Sequence, residues 1–165
     1  MKINFLICAL AALVPLFTGF IWYGPLFKNA WMKEMRFTEE NLKGGNMAAI
    51  FGISYVLSFI IALGLIPIVI HQMGIYSTLA GEPDFINQSG DAYNTYTSLM
   101  ETYGTRFRTF KHGLLHGSIL GFFIALPILA IQAIFERKTF VYIAINVGYW
   151  VVTLGLMGGI ICQWF

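Results

Sequence analysis

The chain has 165 residues, of which 58% are hydrophobic and only 11% are charged, and its formal net charge at pH 7 is +2. Soluble domains usually carry about 25% charged residues, so this composition excludes an ordinary soluble protein. The small net charge, without a basic patch interleaved with aromatic residues, argues against a nucleic-acid partner. Two cysteines, Cys8 and Cys162, are too few for a disulfide scaffold.

Asp, Glu, Lys and Arg are absent from four long stretches, residues 3–27, 44–81, 112–135 and 139–165. A helix of roughly 20 apolar residues crosses the hydrocarbon core of a bilayer. We therefore predict an all-α polytopic membrane protein, a single transmembrane domain over residues 1–165, with four membrane-spanning helices at about 3–24, 47–72, 110–135 and 139–163. The first stretch resembles a signal peptide but lacks a clear small-residue cleavage site, so we predict a retained helix.

The loops between these helices differ in length and character. In the first loop, Thr38 followed by two glutamates predicts a short interfacial helix at 38–43. The third loop is only Glu136-Arg137-Lys138, so helices 3 and 4 must be antiparallel neighbours.

The second loop, residues 74–109, is the only sizeable polar region. Its second half has apolar and aromatic residues at alternating spacings of three and four, which predicts an amphipathic helix packed on the membrane domain. This stripe consists of Tyr93, Tyr96, Met100, Tyr103 and Phe107.

The orientation follows from the lysine and arginine residues that flank the helices. Loops one and three carry six of them, Lys28, Lys33, Arg36, Lys43, Arg137 and Lys138, and the opposite side carries four, Lys2, Arg106, Arg108 and Lys111. Because cytoplasmic loops are enriched in positive charge, we expect both termini and the loop 74–109 on the extracytoplasmic side.

Small residues recur every four positions on the predicted helices, for example at Gly113, Gly117 and Gly121. Small residues at this spacing allow helices to approach closely in lipid. The pattern fits packing within the chain, and it equally fits contact between copies of the chain. Pro67 and Pro127 lie inside predicted helices 2 and 3, where each should kink the helix.

Three histidines form the candidate site. His112 and His116 are one helical turn apart, so both rings project from one face of helix 3. Helix 2 ends on the membrane side where helix 3 begins, which places His71 level with His112. Imidazole is a ligand of zinc and other divalent metals, which bind three or four converging groups at about 2.0–2.3 Å. The candidate metal ligands are therefore His71, His112 and His116, and a loop carboxylate could complete the set, from Asp84, Asp91 or Glu101.

Other interpretations of these histidines remain open. They could form a proton-responsive site, because imidazole titrates near pH 6.5. They could also be polar residues that only pack and hydrogen-bond at the membrane interface. Gly113 stands where a metalloprotease HExxH motif would carry its glutamate, so that chemistry is absent.

Two segments resemble a family of small bacterial membrane proteins, the domain of unknown function 1761. The first is Trp22-Tyr23-Gly24-Pro25-Leu26-Phe27 with Trp31 and the Thr-Glu-Glu-x-Leu segment that ends at Leu42, and the second is the Asn146-x-Gly-Tyr-Trp segment of the last helix. The resemblance implies a four-helix protein of the bacterial inner membrane, with no assigned activity and no functional residues to carry over.

The functional hypotheses follow from these patterns. The first is a non-enzymatic protein that acts as a homo-oligomer or as an accessory subunit of a larger membrane complex, since small-residue faces are present and catalytic motifs are missing. The alternative is a metal- or proton-responsive membrane protein or transporter that uses the histidine cluster. A membrane enzyme acting on lipid or quinone is the third and least favoured hypothesis, because few polar groups suit general acid–base chemistry.

Overall fold

The computed structural model describes residues 3–40, 42 and 45–165. Every secondary-structure element assigned in these residues is a helix, as predicted. We number the α-helices in chain order: α1 (Phe5–Ala11), α2 (Val14–Ile21), α3 (Lys28–Met35), α4 (Met47–Val69), α5 (Gln72–Leu79), α6 (Pro83–Ile86), α7 (Gly90–Tyr103), α8 (Phe110–Leu120), α9 (Leu126–Phe135) and α10 (Phe140–Trp164).

Four helical segments in the described residues are long and apolar enough to cross a membrane. We call them spans 1 to 4: Phe5–Leu26, Met47–Val69, Phe110–Phe135 and Phe140–Trp164. Their outer surface is apolar, and Phe20, Phe135 and Phe140 are 78%, 85% and 81% exposed. Side chains of this kind would be costly in water and suit lipid, so the chain is a multi-pass membrane protein.

Span 1 is interrupted twice. A turn at residues 12–13 separates α1 from α2, next to Pro15, which lacks the N–H that a regular helix requires. At the other end, residues 22–26 form a wide π-helical turn in which Gly24, just before Pro25, has non-helical φ and ψ of −98° and −106°. Span 1 therefore bends at Gly24-Pro25, and the chain continues as α3, where the Glu34 carboxylate accepts a hydrogen bond from the Thr139 hydroxyl just before span 4.

The aromatic end of span 1 is held by span 4. The indole nitrogen of Trp22 donates a hydrogen bond to the carbonyl oxygen of Ile145 at 2.9 Å, and the Tyr23 hydroxyl donates to Asn146 Oδ1 at 2.9 Å. These contacts give the family-like Trp-Tyr pair a role inside the bundle. They also show Asn146 joining two helices, as expected for an amide within a membrane.

Spans 3 and 4 approach so closely that a side chain would not fit between them. A β-carbon built on Gly113 would lie 2.1 Å from the carbonyl oxygen of Gly158, and one on Gly117 would lie 2.0 Å from that of Leu154. A β-carbon on Gly121 would lie 2.7 Å from the α-carbon of Val151. The glycine face that the sequence predicts is therefore used for packing within the chain.

Span 3 also contains a π-helical turn. Residues 121–125 adopt it between α8 and α9, directly before Pro127 in the first turn of α9. The wider turn accommodates a proline inside a continuous span, because proline cannot donate a backbone hydrogen bond one turn back. Pro67 lies near the end of α4, which stops two residues later.

Three short or medium helices, α5, α6 and α7, form the loop between spans 2 and 3. Helix α7 carries the predicted stripe from Tyr93 to Tyr103, and Tyr96 packs on Phe85 and Tyr76. The last member of the stripe was assigned wrongly. Phe107 lies beyond the helix with a left-handed φ of 62°, because α7 ends four residues earlier, at Tyr103.

The predicted helix at 38–43 falls partly on Asn41 and Lys43, which lie outside the described residues. Residues 38–40 are not helical, and the first loop instead contains α3, which Arg36 ends in the left-handed conformation.

The helix packing yields a stability prediction. Gly117→Ala would force spans 3 and 4 apart, because its β-carbon would meet the backbone of Leu154. Overpacking of this kind costs about 1–3 kcal/mol, which we expect as a lower free energy of unfolding in detergent. The matched control is Gly64→Ala in span 2, where no atom lies within 4 Å of the new β-carbon. Equal effects of the two variants would contradict the close contact.

Candidate metal centre

The three histidines lie where spans 2 and 3 meet the loop between them. His71 directly precedes α5, two residues after span 2 ends at Val69. His112 and His116 occupy the first two turns of α8. The hydroxyl of Thr109 caps this helix by accepting a hydrogen bond from the backbone N–H of His112 at 3.2 Å. The ends of two different spans thus supply the three imidazoles.

The rings are in direct contact. The Nε2 atoms of His71 and His112 are 2.9 Å apart, and the centroid of the His116 ring lies 4.9 Å from that of His71 and 4.4 Å from that of His112. One ligand nitrogen from each ring lies within 4.8 Å of the other two. Three ligands around a tetrahedral zinc ion are about 3.4 Å apart, a separation that lies between the 2.9 Å of the closest pair and the 4.8 Å limit for all three nitrogens.

The glycine contact explains why the two histidines of span 3 face His71. Gly113 and Gly117 turn toward span 4, and each histidine precedes one of these glycines by a single residue, which is about 100° around the helix. The imidazoles therefore project beside the contact with span 4, toward the end of span 2. His71 is exposed, and His112 and His116 are half-buried, so water and ions reach the cluster.

The other candidate ligands lie elsewhere. Among the described residues, the group around His71 contains no carboxylate and no cysteine. The carboxylate of Asp84 accepts hydrogen bonds from the backbone N–H groups of Phe85 at 3.1 Å and Ala92 at 2.8 Å, and so it caps α7. The thiol of Cys162 is buried and donates to backbone carbonyls.

A short segment, which we call the strap, covers the cluster. It consists of residues 104–109, which connect α7 to α8. The Phe107 ring stacks on His112, with 5.1 Å between the centroids and 20° between the ring planes, and it meets His71 edge-on at 6.4 Å. The aromatic side chain of the strap is therefore in contact with two of the three candidate ligands.

The strap is tied to span 4 and to the end of span 2. Gln72 is buried, and its Nε2 donates to the carbonyl oxygens of Tyr103 and Arg106, both at 3.0 Å. Arg108 donates from Nε to the carbonyl oxygen of Cys162 at 2.9 Å and from Nη2 to that of Phe165 at 2.7 Å. These bonds satisfy the last carbonyls of span 4, which have no partners within their own helix.

The three histidines can be singled out from the sequence, whereas the strap cannot. The stripe of period 3.5 assigned Phe107 to α7, although Gly104 is a helix-ending signal that could have corrected the assignment. No local pattern indicates the bonds of Gln72, because its partners are 31 and 34 residues away.

The four spans, with a histidine cluster at one end, define a multi-pass α-helical membrane protein. The chain belongs to a family described as a protein of unknown function (DUF1761), whose model matches residues 6–162. This finding confirms the resemblance seen in the sequence. No curated protein and no solved structure matches the chain.

The bonds of Gln72 yield a prediction about the strap. In Gln72→Ala the carbonyls of Tyr103 and Arg106 lose their donor, and each such bond is worth about 0.5–1.5 kcal/mol. We expect faster amide exchange across residues 104–109 and faster tryptic cleavage after Arg106. Gln132→Ala is the control, because Gln132 bonds to Glu136 of its own helix end. Unchanged cleavage in Gln72→Ala would contradict the role of this side chain.

Proposed function

We propose that this chain is a membrane protein that binds one divalent transition-metal ion through His71, His112 and His116. The observation that carries the proposal is the convergence of all three imidazoles of the chain, each with a ligand nitrogen within 4.8 Å of the others. His71 is 41 residues from His112 in the chain, and a packing role alone does not require ligand nitrogens from all three rings to lie this close together.

The donor set defines the class of metal. Three neutral imidazoles suit zinc and the neighbouring ions cobalt, nickel and copper, whereas magnesium and calcium prefer oxygen ligands. A structural zinc site is normally closed by four protein ligands, but here the described residues offer three. The site is thus of the open kind, in which a fourth position is left for water or another small ligand.

The position of the cluster also favours an ion site. A divalent ion inside the hydrocarbon core would be very costly, whereas a helix end at the membrane boundary leaves the ion in contact with water. The exposure of His71 provides such contact. By the count of lysine and arginine residues, the site, the termini and the loop 74–109 would face the extracytoplasmic side of a bacterial inner membrane.

The hypothesis of an oligomer or an accessory subunit has less support. It was motivated by small-residue faces, and the glycines of span 3 face span 4 of the same chain. Assembly into a homo-oligomer or a larger complex stays a prediction. The histidine cluster offers no specific argument for such assembly.

The metal proposal is tested by binding. We expect native mass spectrometry of the detergent-released protein to show about one zinc or cobalt ion per chain. The His112→Ala/His116→Ala double variant should lose it, with affinity falling by more than about 100-fold, the upper end of what loss of an outer-shell partner costs. Lys111→Ala is the control, because Lys111 is exposed on the same turn of α8.

Two outcomes would contradict the proposal. One is a wild-type protein that binds neither ion at micromolar concentration. The other is a double variant that keeps the metal content of the control while remaining folded by circular dichroism.

A further inference from the structure

A cavity opens beside the histidine cluster, on the side of His71. Its volume is about 320 Å³, and it is lined by His71, Gln72, Ile75, Tyr103, Arg106 and Phe107. Two of these residues carry groups that would bind a small polar ligand, the His71 imidazole and the Arg106 guanidinium. Of the others, Gln72 donates to backbone carbonyls, and Ile75, Tyr103 and Phe107 provide aliphatic or aromatic surface.

Arg106 is available for such a ligand. Its guanidinium carbon lies 5.5 Å from the centroid of the Tyr103 ring and 5.4 Å from that of Phe107, so the two rings hold it over the cavity. Among the residues that the structure describes, no carboxylate lies within ion-pair distance of it. The same Phe107 ring stacks on His112, so a single aromatic side chain contacts both the guanidinium and the histidine cluster.

The charges in this region would all be positive once a metal is bound. Three neutral imidazoles leave the full double charge of a bound metal uncompensated, and Arg106 adds a further positive charge. The cluster also lies at the N-terminal ends of two helices, since His71 directly precedes α5 and His112 is the third residue of α8. Helix N-termini carry partial positive charge and favour anions. The metal, Arg106 and the N-terminus of α5, whose residues Gln72 and Ile75 line the cavity, would therefore all be stabilised by one negative group there.

We propose that this cavity binds an oxyanion group, a carboxylate or a phosphate, with one oxygen on the metal held by the three histidines and the others on the Arg106 guanidinium. The planar guanidinium offers paired N–H donors that match the oxygens of such groups. The inference rests on the proposed metal site, because the metal supplies the second contact. It names the ligand class for the open coordination position.

The test uses cobalt as both ligand and reporter, because its visible spectrum changes with the number and kind of its ligands. The full chain is purified in a maltoside detergent without oxyanions and loaded with cobalt. Acetate is then added as the carboxylate and sulfate as a tetrahedral oxyanion. We expect a saturable spectral change when the anion is added. Because the binding of the two ligands is coupled, the affinity for cobalt should also rise, by about 5- to 150-fold, when the anion is present.

Variants of Arg106 assign the effect to this cavity. Arg106→Gln should still bind cobalt but lose the dependence of cobalt affinity on the anion, and Arg106→Lys should restore part of it. Lys111→Gln is the control, since Lys111 is a cation beside His112 that does not line the cavity. Its anion dependence should equal that of the wild type. Circular dichroism and retained cobalt binding report that each variant is folded.

A second arm distinguishes the source of the oxyanion. In oxyanion-free nanodiscs, a spectral change that depends on phosphatidylglycerol identifies a lipid headgroup, and a change seen only with acetate or sulfate identifies a soluble anion. If cobalt binds and no arm changes its spectrum or affinity, the inference is overturned while the metal site stands. It is likewise overturned if Arg106→Gln keeps the full anion effect. If cobalt does not bind at all, the proposed function itself fails.

Discussion

The contact between the glycine faces of spans 3 and 4 is the constraint on which the rest of the structure depends. At Gly113 and Gly117 no β-carbon fits, so the two backbones approach more closely than helices with larger side chains could. In lipid, where apolar burial gives little advantage, this close packing is a main source of helix association. It also fixes the rotation of span 3 about its own axis. Because His112 and His116 each precede one of these glycines, the rotation that packs the helices also aims both imidazoles at the end of span 2.

The strap covers the end of the bundle where the glycines determine how spans 3 and 4 pack. Arg108 satisfies carbonyls at the end of span 4, and Gln72 holds the strap from the end of span 2, so the segment joins elements that the membrane domain has already brought together. Phe107 adopts a left-handed backbone conformation that is uncommon outside glycine and asparagine. Conformations of this kind persist where the surrounding structure supports them, and here the ring stacking on His112 and the bonds on either side provide that support.

Much of this architecture could be predicted from the sequence, because its signals are local. The charge-free stretches predict spans that agree with the structure to within three residues at each end, and the period-four glycines mark the packing face. The two histidines of span 3 share a face by helical geometry alone, and the position of His71 follows from the antiparallel order of the helices. The strap could not be predicted in this way. The side chains of Arg108 and Gln72 bond to residues distant in sequence. The stripe of α7 continues by spacing into Phe107, although the helix ends at Tyr103.

The candidate metal ligands and the carboxylates of the chain are positioned by different kinds of structure. The histidines are placed by rigid helix ends, whereas the carboxylates suggested as a fourth ligand belong to the loop, where Asp84 is already used to cap α7. Without a carboxylate in the cluster, a bound metal would keep its whole charge in a region made more positive by Arg106 and by two helix N-termini. A protein site of this kind would be electrostatically incomplete when it holds the metal alone. The negative group that we propose would come from outside the cluster and bind in the cavity that His71 and Arg106 both line.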